Sequence, residues 1–88
     1  MDVVGRRLLA TRRGLGLTQA ALVARVGPCT TTQWSNYERG DRMLDLDVAD
    51  RLCHEFGFTL DWLYRGDPAR VDIELMRKIR REEASLAA

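Results

Sequence analysis

Between Val26 and Thr30 the chain reads Gly27-Pro28-Cys29, and this break constrains the fold more than any other feature. Proline lacks the amide hydrogen that a helix interior needs and pushes the residue before it out of helical geometry, so no helix runs through it. Ahead of the break, Thr18 can cap a helix over Gln19–Val26, in which Leu22 and Val26 sit four apart on one face. Behind it, Thr30 and Gln33 have the capping-box spacing, where each side chain satisfies the other residue's orphan amide, and Gly40 ends the segment. Within that segment Trp34 and Tyr37 share a face, while Thr32, Ser35, Asn36 and Arg39 lie mainly on the other. Residues 18–40 therefore specify two brief helices joined by a tight turn, the second with a packing face and an outer face of small polar groups.

Elsewhere apolar residues recur at three and four rather than at two, so the chain is all-α. The spacing predicts a first helix over about Asp2–Gly14, with Val4, Leu8 and Thr11 inward and Gly16 stopping it. Asp45 is expected to cap a helix over Leu46–Phe56, burying Ala49, Leu52, Cys53 and Phe56 and closing at Gly57. Thr59 caps a short Leu60–Arg65 helix to which Trp62 and Leu63 give bulk. Asp67-Pro68, an aspartate cap followed by proline at the first helical position, predicts that a last helix starts there and frays at Leu86-Ala87-Ala88. Val71, Leu75, Met76, Ile79 and Leu86 form one stripe on it, which either folds back on its own domain or meets a partner.

The 88 residues, 45% of them hydrophobic, suffice for one small core. The expected division is a domain over 1–67 and a C-terminal amphipathic helix over 68–88. No apolar run approaches about 18 residues and the start lacks a secretion signal, so a cytoplasmic protein without membrane contact is expected. Cys29 and Cys53 are too few for a disulfide scaffold, and Cys53 beside His54 is a poor zinc pair because adjacent helical side chains diverge. Neither metal nor cofactor is expected, and no phosphate-binding glycine loop or base-activated nucleophile is visible. Net charge is only +1, but residues 1–42 carry seven arginines against three acids, and residues 43–88 carry seven basic against ten acidic groups. The positive half holds the two short helices, which suits an anionic partner.

Gly16-Leu17-Thr18-Gln19-Ala20-Ala21-Leu22, followed by Gln33-Trp34-Ser35-Asn36-Tyr37-Glu38-Arg39-Gly40, resembles the helix-turn-helix regulators of the Cro and phage-repressor type. The likeness extends from Gly5 to Asp67, and Phe58–Gly66 is similar to the family's closing segment. It implies a lambda-repressor-like bundle of five short helices, here with a further C-terminal helix. It also implies a non-enzymatic, sequence-specific regulator, a repressor that binds a palindromic operator in double-stranded DNA as a homodimer. The alternative is a helical interaction module, such as an antitoxin-like partner, that uses the stripe from Val71 to Ile79.

By position, the resemblance puts Gln19 against phosphate or a base at a helix N-terminus, and Thr30, Thr31, Thr32, Gln33 and Asn36 against base edges. Asn36 and Gln33 could pair bidentately with adenine, and the threonine methyls could meet thymine methyls. Ser35, Arg39 and Arg42 complete the expected contact set. Arg12 and Glu38 resemble the family's partly buried ion pair. The chain departs from the pattern in the turn: Trp34 follows Gly27 by seven positions where six is usual, so either Val23 or Ala24 fills the position of close helix approach. Leu9 and Thr11 replace residues more often basic and aliphatic in the family.

Overall fold

Side-chain caps set where the helices begin in the computed structural model, which describes residues 3–87. The elements are α1 (Val3–Gly14), α2 (Gln19–Val26), α3 (Thr31–Arg39), α4 (Leu46–Phe56), α5 (Asp61–Arg65) and α6 (Ile73–Ala87), with no strand among the described residues. The Thr18 hydroxyl accepts from the Ala21 amide at 3.1 Å and opens α2. Thr30 and Gln33 form the full capping box at the head of α3, and Gly40 closes that helix in the left-handed conformation. Thr59 accepts from the Trp62 amide at 3.0 Å ahead of α5, which is one wide turn of the i to i+5 kind. Asp45 occupies the cap position of α4 but makes no side-chain cap bond, so that expectation fails in its mechanism although the helix boundaries hold.

Helix α1 is the centre of the fold, packing on α3, α5 and α6. Two glycines let it approach that closely. A Cβ on Gly5 would lie 2.6 Å from the carbonyl oxygens of both Tyr37 and Glu38, and one on Gly14 would lie 2.6 Å from Ile79 Cγ1. Leu8, Leu22, Val26, Trp34, Leu52, Trp62, Leu63 and Ile79 are the large side chains sealed inside. Trp62 joins three elements. Its indole N–H donates to the Thr11 hydroxyl at 3.2 Å, and the guanidinium groups of Arg7 and Arg80 lie 5.6 and 5.4 Å from its ring centre.

The C-terminal region differs from the sequence expectation. Asp67 accepts from the Ala69 amide and Val71 donates to the Pro68 carbonyl, both at 3.0 Å, so Asp67-Pro68 makes a single turn rather than a helix start. That turn delivers Val71 into the core, and the chain must then be redirected along α1; Asp72 supplies the cap of α6 by accepting from the Leu75 amide at 3.0 Å. Helix α6 runs antiparallel to α1, since Ile79 meets Gly14 and Arg6 donates to the Leu86 carbonyl at 2.8 Å. Leu86 and Ala87 are thus helical rather than frayed, while Asp2 and Ala88 lie outside the described residues. The stripe is covered from within: Val71, Met76 and Ile79 are buried, and Leu75 and Leu86 pack against the same core. On α4, Ala49 and Leu52 are buried as expected, Cys53 and Phe56 are half-buried, and Val48 is an additional core position. No described helix is long and apolar enough to cross a membrane.

Candidate nucleic-acid interface

A buried carboxylate fixes the two short helices relative to α1. Glu38, near the end of α3, is 5% exposed and accepts from Arg12 Nε at 2.6 Å and Nη2 at 3.3 Å, from Gln19 Nε2 at 2.8 Å and from Trp34 Nε1 at 2.5 Å. Arg12 also donates to the Leu17 carbonyl at 2.9 Å, so one side chain from α1 anchors both the loop before α2 and the tail of α3. A carboxylate removed from water is tolerable only when its oxygens are paired in this way. The Arg12–Glu38 pair expected from the resemblance is present. Gln19 is committed to it, half-buried, with its amide nitrogen facing Glu38 rather than solvent.

The packing face of α3 carries Trp34 and Tyr37, edge to face with ring centres 6.0 Å apart. The opposite face is exposed at Thr31, Thr32, Gln33 and Arg39 and half-exposed at Ser35 and Asn36, with Thr30 exposed ahead of it and Arg42 beyond it. Eight of the nine sequence-expected site residues are thus exposed or half-exposed on α3 or just beside its ends, and Gln19 is bonded to Glu38 of the same helix. Val23 packs against the core while Ala24 is exposed, so Val23 occupies the close-approach position and the extra residue is absorbed in the turn from Gly27 to Thr30.

Side-chain bonds within this face occupy several of its polar groups. Arg39 donates to the Ser35 hydroxyl at 3.0 Å, to Asn36 Oδ1 at 2.5 Å and to Asp41 at 3.0 Å. Gln33 Oε1 accepts from the Thr30 amide at 2.9 Å. Each amide oxygen thus accepts one bond from within the fold and keeps a second lone pair, so a bidentate pairing with adenine would share that oxygen with Arg39 or with the Thr30 amide. Sequence reasoning did not reach this clamp, although Arg39 stands three and four positions after Asn36 and Ser35, the separations at which helical side chains meet.

Around the interface, burial pushes the thiol of Cys29 and the phenol of Tyr37 above their ordinary values, reinforced at both by Asp45. Tyr64 and Cys53 are raised for the same first reason, and the Tyr64 hydroxyl donates to the Leu44 carbonyl at 2.7 Å, tying α5 to the loop after α3.

Two short helices at a tight turn, braced through a buried carboxylate and presenting a polar outer face, define the helix-turn-helix class of DNA-binding domain. A family described as helix-turn-helix domain matches residues 5–67, and the chain belongs to this family, whose members are DNA-binding domains of the Cro and phage-repressor type. No curated protein and no solved structure matches the chain.

Proposed function

We propose that the protein is a cytoplasmic, sequence-specific transcriptional regulator that represses by occluding a promoter or operator, and that it works without a cofactor. The outer face of α3 carries this reading: a capped nine-residue helix whose exposed groups are hydroxyls, amides and arginine, in the half of the chain with excess positive charge. The DNA-binding domain spans residues 1–67, with α6 bracing it through α1. Thr30, Thr31, Thr32, Gln33, Ser35 and Asn36 face base edges. Arg39, Arg42 and the N-terminus of α2 at Gln19 hold phosphates, and Gln19 does so through its backbone amide because its side chain supports Glu38. Gln33 and Asn36 offer their NH2 groups to purine N7, guanine O6 or thymine O4, and each keeps a lone pair on its amide oxygen for a bidentate contact with adenine.

A single domain of near-neutral charge makes few phosphate contacts, so useful affinity requires two copies on a two-fold site. The buried stripe on α6 is not available for that pairing. Met43 and Leu46, 62% and 60% exposed just beyond α3, are where we place it. The antitoxin-like alternative loses its support for the same reason, since the stripe it needs faces α1. Selection of bound duplexes from a random pool tests the reading, and a single recovered sequence motif is the expected result. On that motif Asn36→Ala weakens binding by about 1–3 kcal/mol and on random DNA by little. Equal losses on both would remove Asn36 from base recognition, and no enrichment at all would end the proposal.

A further inference from the structure

Helix α6 carries four cations in its middle turns, and the structure divides them into two kinds. Arg77 lies 3.6 Å from Glu74, and Arg80 lies 2.8 Å from Glu83 and also covers Trp62, so these two are satisfied within the fold. Lys78 and Arg81 are exposed and have no partner among the described residues. Together with Arg13, equally exposed and unpartnered, they line one shallow cleft with Gly14 and Glu82. Three unpaired cations against one carboxylate, gathered from two helices, make a strongly positive patch on a chain whose net charge is only +1.

The position of the patch says which polyanion it fits. Arg13 follows Arg12, which holds Glu38 and the Leu17 carbonyl, and only residues 15–18 separate Gly14 from the N-terminus of α2. The cleft therefore includes the C-terminus of α1, with four residues between it and the α2 N-terminus. It does so only because α6 is drawn onto Gly14 through Ile79, by a segment that lies outside the family's matched residues 5–67. We infer that Arg13, Lys78 and Arg81 form a second phosphate-binding patch that grips the DNA backbone flanking the sequence read by α3. The inference rests on the DNA-binding reading above. The contact is to phosphate alone, so it adds affinity and footprint length without base preference.

The test replaces Arg13, Lys78 and Arg81 together by Gln and measures binding to the selected motif, in a duplex extended on both sides, across a range of salt concentrations. A second variant, Arg51→Gln with Arg65→Gln and Arg70→Gln, removes the same charge from exposed positions elsewhere. Both should melt as the wild type does. The patch variant is expected to bind motif and random DNA more weakly by the same factor. Its plot of log affinity against log salt should be shallower by about 0.9 per lost phosphate, about 2 to 3 per protomer. The control variant should keep nearly the wild-type slope. An unchanged slope in the patch variant, or an equal change in both variants, overturns the patch while leaving the regulator reading intact. A wild type that binds no DNA ends both.

Discussion

Glu38 is a charge that the fold has taken out of water, and each of its donors does a second job: Arg12 holds the Leu17 carbonyl, Gln19 opens α2 and Trp34 fills the core. Arg12→Ala would strand the carboxylate, and the expected loss is about 3–5 kcal/mol, a large part of what so small a domain has. Urea unfolding measures it. A loss under about 1 kcal/mol would mean that the pair behaves as if solvent-exposed. The tyrosines give a prediction in pH. Tyr37 and Tyr64 are raised above their ordinary 10.0 by burial, so the folded state keeps their protons longer than the unfolded chain does. Their contribution to stability is complete below that value and disappears as pH climbs through and beyond it. Alkaline titration of tyrosine absorbance, run beside thermal melts, should show ionisation and loss of structure together above the pH at which free tyrosine titrates.

Helix starts and stops were legible wherever a side chain or glycine acts on its own neighbours: the Thr18 and Thr59 caps, the Thr30–Gln33 box and the closing turns at Gly40 and Gly57 all stand as the local spacing predicts. What local spacing could not supply was direction. Asp67-Pro68 has the chemistry of a helix start, yet the core draws Val71 in and α6 begins only at Ile73. On α3 the division into a packed and an exposed face was legible but the bonding of its side chains was not, because the Arg39 clamp and the attachment of Gln19 to Glu38 depend on how side chains turn once the helices are packed. The glycines of α1 show the same limit, since only the packed structure reveals Gly5 against the carbonyls of α3. Gly5→Ala gains helix propensity of about 1 kcal/mol but forces two backbone segments apart, so a net destabilisation of about 1–3 kcal/mol is expected in denaturant unfolding.

At the scale of the molecule, α6 decides whether the domain is closed. Ile79 is fully buried against Gly14, and Ile79→Ala should destabilise the protein by about 2–5 kcal/mol without altering the association state of what remains folded. Sedimentation of the folded fraction checks the second half of that statement. Met43→Asp with Leu46→Asp should do the reverse, leaving the unfolding midpoint nearly unchanged and lowering the mass on a two-fold site to that of one protomer. The antiparallel return of α6 along α1 also brings Arg6 within hydrogen-bond reach of Leu86, so the two ends of the described chain meet. A circularly permuted gene that joins them by a short linker and opens the backbone at the exposed Ala69–Arg70 turn should therefore still yield a cooperatively folding protein. In such a molecule the order of translation changes while α3 and its braces stay within one uninterrupted stretch.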